Sequence, residues 1–102
     1  MRRKSRKDLN HDAVVEAFRK CGCYVVELHE LGHGIPDLLV KIGQTWRVVE
    51  IKNMDGWYGR QGLNKAQRAF NEECHGQVDL VSSVDDALKL IGTVRERRCS
   101  DA

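Results

Sequence analysis

A short glycine-containing connection, Gly43-Gln44-Thr45, constrains this chain more than any other feature. It separates two runs rich in aliphatic and β-branched residues, Asp37 to Ile42 (DLLVKI) and Trp46 to Lys52 (WRVVEIK). Runs of that length around a hairpin-length loop predict two antiparallel strands. So tight a turn sets the beginning of the first strand beside the end of the second. Side chains alternate faces along a strand, which puts Glu50 and Lys52 on one side and Val49 and Ile51 on the other. Asp37 then arrives beside Glu50 and Lys52, so two carboxylates and one ammonium converge on one patch.

The rest of the chain builds around that hairpin. From Asp8 to Cys21 the apolar residues Leu9, Ala13, Val14, Ala17, Phe18 and Cys21 recur at helical spacing, with Gly22 as the stop. Cys23 to Leu28 (CYVVEL) reads as a strand, followed by a loop through His33 and Gly34. Pro36 stands at the entrance of the next strand, where its missing N–H costs no ladder bond. Asn53 to Gly62 carries three glycines and no period, and reads as a surface loop. Asn64 caps a second helix whose face holds Leu63, Gln67, Phe70 and Cys74. Val78 to Ser82 is a last strand, and Ser83 with Asp86 forms a capping box ahead of Val84, Ala87, Leu88 and Ile91. The expected order is α-β-β-β-α-β-α. It makes an α/β domain over residues 8–92, with a basic tail at 1–7 and a frayed tail at 93–102.

Composition narrows the function classes. At 102 residues, 41% hydrophobic and 31% charged, the chain fits one compact domain and excludes a multi-domain enzyme. No run approaches the roughly 18 apolar residues of a membrane span. MRRKSRK is followed by Asp8 and Asn10 rather than an apolar stretch, so the expected place is the cytoplasm. Cys21, Cys23, Cys74 and Cys99 contain no CxxC, and reduced thiols are expected. Arg2, Arg3, Lys4, Arg6 and Lys7 precede the first acid, and the remaining twelve cations against fifteen acids net −3. Clustered cations beside an acidic body suit a phosphate backbone and a separate site of metal-binding carboxylates, and equally a solvated tail.

Glu50 and Lys52 taken alone form an ordinary ion pair. Joined to the Pro36-Asp37 entrance and to Gln67 on a facing helix, they suggest chemistry. Two carboxylates held close repel unless a cation lies between them, and Mg²⁺ or Mn²⁺ is the cation such oxygens hold. A water acidified by that ion and oriented by Lys52 could attack a phosphodiester in line, which is metal-assisted hydrolysis.

GIPDLLV, VVEIKN and LNKAQRAF together resemble the PD-(D/E)XK nucleases, specifically the virus-type replication-repair nuclease branch (VRR-NUC). The resemblance spans about residues 8 to 91. It implies a restriction-endonuclease-like α-β-β-β-α-β core around a mixed four-stranded sheet flanked by helices. It implies that Asp37 and Glu50 ligate Mg²⁺ or Mn²⁺ with the Ile51 carbonyl, and that Lys52 positions or activates the water. Gln67 corresponds to the glutamine that supports the lysine or the scissile phosphate. Family members often carry an acid early in the first helix, for which Asp8 is the candidate here, although the usual glutamate is not obvious.

His11 lies three residues after Asp8 on the same helical side, from which it could reach the metal zone, but it reads rather as partly buried or solvated. His29 and His33 would suit a zinc pair only on a helix, and the glycines at 32 and 34 argue for a loop. His33 and Gly34 instead allow a close backbone approach to DNA. Trp57, Tyr58 and Arg60, then Lys65 and Arg68, set aromatics beside cations, which can stack on bases and hold phosphates or can cover the core. Arg2, Arg3 and Lys4 extend the cationic set.

The expected function is a metal-dependent endonuclease that hydrolyses DNA, structure-selective like a Holliday-junction resolvase and dimeric. The resemblance implies a homodimer, as small stand-alone members of that branch are dimeric, and one active site per chain needs two copies to cut two strands. The alternatives are a flap or nicking nuclease without junction preference and an inactive DNA-binding module of the same fold. A role in phage or bacterial recombination and repair fits by analogy.

Overall fold

The structure, a computed structural model, describes residues 10–52 and 63–101, with side chains up to Glu96. In chain order the elements are α1 (His11–Lys20), β1 (Tyr24–Glu27), a 3-10 turn (His29–Leu31), β2 (Leu38–Ile42), β3 (Thr45–Ile51), α2 (Lys65–Glu73), β4 (Val78–Val81) and α3 (Val84–Asp101). They make a small α/β domain with three helices and a mixed four-stranded sheet in the order β1-β2-β3-β4. The first two pairings are antiparallel and β3 pairs with β4 in parallel, α2 lying in the connection between them. No helix is long and apolar enough to cross a membrane among the described residues.

The hairpin forms with a loop one residue shorter than the sequence predicts. Thr45 already pairs with Ile42, so Gly43 and Gln44 alone make the turn. Gly43 has φ 63°, the conformation that a two-residue hairpin of this kind needs at its first central position. The last helix differs more. Residues 95–101, expected to fray, continue α3 to Asp101, and Val94 still packs into the core.

The register sorts the side chains into two faces. Val25, Leu38, Val40, Ile42, Val49, Ile51 and Val81 are all buried on one face. Against it lie Val14, Val15 and Phe18 of α1 and Ala87, Ile91 and Val94 of α3, which recur at helical spacing. The other face is less covered, for Tyr24, Trp46 and Leu80 are exposed there. Tyr24 and Trp46 meet edge to face at 6.3 Å, and the Lys41 ammonium stands 5.9 Å from the Trp46 ring.

Side chains tie the ends of the central strands together. Asn10 Nδ2 donates to the carbonyls of Ser82 and Lys52, and Lys52 N–H donates to the Val81 carbonyl at 2.9 Å. Asp86 accepts from both the backbone N–H and the hydroxyl of Ser82, while Ser83 Oγ accepts from Asp86 N–H. The expected capping pair is present in the second contact, but the Asp86 carboxylate reaches one residue further back than a capping box requires. Those Ser82 bonds hold the Asp86 carboxyl below its ordinary value. Burial raises the Cys23 thiol, so the neutral thiol is favoured in the core.

Candidate functional site

Strand alternation decides what the open face offers at the end of β3. Val49 and Ile51 turn into the core, so Glu50 and Lys52 turn the other way. Carrying the β2–β3 register one step beyond Leu38↔Val49 sets Asp37 opposite Glu50. Asp37 Oδ2 accepts from the Ile51 N–H at 2.8 Å, which fixes that carboxylate against the strand end. A residue in a strand directs its own N–H and C=O to the same side. The Ile51 carbonyl therefore faces the side on which Asp37 sits.

Helix α2 supplies the partner for both charged groups. Gln67 Oε1 accepts from Lys52 Nζ at 2.8 Å, and Gln67 Nε2 donates to Glu50 Oε1 at 2.6 Å. An ammonium has only protons to give and a carboxylate only lone pairs, so the amide can sit only one way round. The same Gln67 oxygen accepts from Asn64 N–H, and Asn64 Oδ1 accepts from Gln67 N–H, each at 2.9 Å. The helix N-terminus thus locks the side chain that locks the site. Glu50 is only 4% exposed, and Lys52 Nζ lies 3.8 Å from its Oε1, a pair whose desolvation is offset by these bonds.

Gly34 brings the preceding loop against α2. A Cβ there would lie 2.5 Å from the Ala66 carbonyl carbon and oxygen, and φ is +79°. Only glycine fits both demands without strain. The result is a cleft of about 300 Å³, lined by His29, Gly32, His33, Gly34, Ile35, Asp37, Glu50, Lys52, Asn64 and Gln67.

Asp37, Glu50, Lys52, Gln67 and His33 of the expected site residues share this cleft, and Ile51 lies in the strand at its wall. His33 is exposed at φ 57°. Lys65 and Arg68 lie exposed on α2 and do not line the cleft, Arg68 Nη1 donating to the Leu63 carbonyl at 3.4 Å. Asp8, Arg2, Arg3, Lys4, Trp57, Tyr58 and Arg60 lie outside the described residues.

A second cluster escaped the sequence reading. His11, expected to be partly buried or solvated, is 1% exposed, and its Nε2 stands 2.9 Å from Glu27 Oε1. His29 approaches His11, not His33, with ring centroids 4.8 Å apart and planes at 67°. His11, Glu27 and His29 each offer one ligand atom within 4.8 Å of the others, a possible metal-binding triad. Among the described residues, Nδ1 of each imidazole is buried and finds no hydrogen-bond partner. An unpaired buried polar atom costs about 1–3 kcal/mol, so each calls for a physical reason. A signal was present in the sequence, since His11 falls three, four and seven residues before Val14, Val15 and Phe18, on the buried face of α1. Asn64 was read as a cap and is also part of the site.

Comparisons of this chain with protein-family models, with curated proteins and with solved structures find no match.

Proposed function

We propose that this chain is a metal-dependent DNA nuclease with a restriction-endonuclease-like core, as its resemblance to the PD-(D/E)XK nucleases implies. The observation that carries the reading is one cleft lined by Asp37, Glu50, Lys52 and Gln67, with Asp37 bonded to the residue that follows Glu50. The α-β-β-β-α-β order and the mixed sheet agree with it.

The donor set fits a hard divalent ion. Asp37 and Glu50 offer carboxylate oxygens, the Ile51 carbonyl faces the same side, and a part-open cleft leaves room for water. Asp37, Glu50 and the Ile51 carbonyl would hold Mg²⁺ or Mn²⁺, which when bound acidifies water and neutralises charge on a phosphodiester. The chain's own groups do the rest. Lys52, held by Gln67 at 2.8 Å, presents a fixed ammonium toward charge that grows on the phosphoryl oxygens. Gln67 bonds to both members of the Lys52–Glu50 ion pair and so fixes its geometry. The N-terminal turn of α2, with Asn64 at the cleft, favours an anion there. Lys65 and Arg68, one turn further on, suit the flanking phosphates.

The substrate is DNA, branched DNA included, and the working unit is a homodimer, because one cleft per chain cuts one strand. By analogy with small nucleases of the resembled branch, the proposed place of action is the cytoplasm of a bacterial or phage-infected cell.

The test incubates purified protein with a labelled four-way junction and the matched linear duplex in Mg²⁺, Mn²⁺ or EDTA. Glu50→Gln and Lys52→Ala are run in parallel. Metal-dependent cuts that both substitutions abolish are expected, with paired symmetric cuts in the junction. Salt-sensitive binding of both DNAs without cutting in either metal would replace this reading with a DNA-binding module.

A further inference from the structure

We propose that His11, Glu27 and His29 form a second metal site, one that takes a divalent transition ion of the zinc class. It stands apart from the carboxylate pair, because Glu27 lies on the core face of the sheet and Glu50 on the other. Three elements supply the ligands: the first residue of α1, the last of β1 and the first of the 3-10 turn.

The chemistry of the donors selects the ion. Two imidazoles with one carboxylate suit Zn²⁺, Co²⁺ or Ni²⁺, whereas Mg²⁺ prefers an all-oxygen set. Bonds of about 2.1 Å place tetrahedral ligands about 3.4 Å apart. His11 Nε2 and Glu27 Oε1, hydrogen-bonded at 2.9 Å, need to open by only about half an ångström to admit the ion. The remaining approach, an ångström or so from the 4.8 Å limit, falls to His29, which is half-buried at the head of a three-residue turn. Arg19 Nη2 lies 3.7 Å from Glu27 Oε2, so Oε1 is the oxygen turned to the histidines.

A plain His11–Glu27 hydrogen bond accounts for two of the three groups only. It leaves His29 drawn against His11 with its own Nδ1 buried and, among the described residues, without a partner. Coordination through His11 Nε2, Glu27 Oε1 and a ring nitrogen of His29 accounts for all three groups. Because His29 also lines the cleft, the ion would fasten the start of α1 and the end of β1 to the cleft wall.

The test uses the full chain stripped of metal with a chelator and titrated with Co²⁺, then with Zn²⁺ as competitor. Uptake is followed by visible d–d absorption and by calorimetry. Wild type is expected to take up Co²⁺ at an imidazole-bearing site, to release it to Zn²⁺, and to melt at higher temperature with either ion. His29→Ala and the isosteric Glu27→Gln should weaken binding at least about tenfold, since even outer partners of a metal site cost that much. Asp37→Asn should leave the d–d absorption of the imidazole-bearing site unchanged, whatever it does to ion binding at the carboxylate pair. Half-buried His29 and isosteric Glu27→Gln keep the test readable where a His11 substitution would disturb the core. The proposal is overturned if wild type binds neither ion, if His29→Ala binds as wild type does, or if Asp37→Asn removes the signal. DNA cleavage is not read in this experiment, so a failed nuclease assay leaves its result intact.

Discussion

Glu27 and Glu50 sit near the ends of two strands in one sheet, yet alternation turns them to opposite faces and gives them different partners. Glu27 shares its face with Val25, Leu38 and Val49, where α1 packs, and it meets an imidazole that is 1% exposed. Glu50 faces away from that core and meets the amide of Gln67 and the ammonium of Lys52 beside an open cleft. Exposure nevertheless runs against the faces: Glu27 keeps 33% of its side chain exposed, whereas Glu50 is 4% exposed. The cause is position in the sheet, since Glu27 ends an edge strand and Glu50 lies in a central strand beneath its Gln67 and Lys52 partners. The helix that brings Val14, Val15 and Phe18 to the sheet closes the core face around its own apolar side chains, whereas α2 buries none of its residues and touches the site through its polar first turn.

This contrast can be broken from the core side first. Phe18→Ala should cost about 3–5 kcal/mol in denaturant unfolding, because a fully buried ring leaves a cavity between α1 and the sheet. A loss below 1 kcal/mol would mean that α1 is not the anchor of that face.

Gly34→Ala attacks the boundary of the open cleft. Strain at φ +79° together with the Ala66 clash should cost about 3 kcal/mol and push α2 off the loop. Thermal melts and cleavage rate should fall together. Gln67→Ala strips the bonds that offset the desolvation of Glu50 and Lys52 along with half of the capping box, so it should cost about 1–3 kcal/mol and lower the proposed DNA cleavage about tenfold to a hundredfold. An unchanged rate would remove Gln67 from the site.

The smallest effect belongs to Asp86→Asn, remote from both glutamates. Ser82 holds the Asp86 carboxyl below its ordinary value, so the folded state favours the ionised form. That stability is present above the ordinary carboxylate pKa and is lost as pH falls through the lowered folded value. The variant should cost about 1 kcal/mol near neutrality, comparable to a lost cap, and the difference from wild type should vanish in strong acid. A difference that persists or grows in acid would contradict the assignment.

Much of the open face was legible before any coordinates. Gly43 in a short loop predicted the hairpin, the hairpin predicted that Asp37 meets Glu50, and period-two alternation set Glu50 with Lys52. Each is a local rule of turn geometry and alternation acting within one hairpin. Asn64 as a cap and Gln67 on the same turn were equally readable, being three apart. The rule failed where the relevant length was packing. Residues 95–101 carry charge enough to fray alone, but Val94 and Ile91 dock the helix on the sheet and the turn propagates. His11 was misjudged because its partners stand 16 and 18 residues away, on a strand end and a turn whose position depends on how α1 lands.

The sequence by itself determined the strands, the hairpin and the sidedness of Glu50 and Lys52, because backbone geometry and side-chain alternation act between neighbours. Only the tertiary structure decided that Gln67 bridges Glu50 and Lys52, that Gly34 closes on Ala66, and that His11 and His29 converge on Glu27. Those contacts depend on the direction in which each helix docks, and that direction is set by the packing of the whole core.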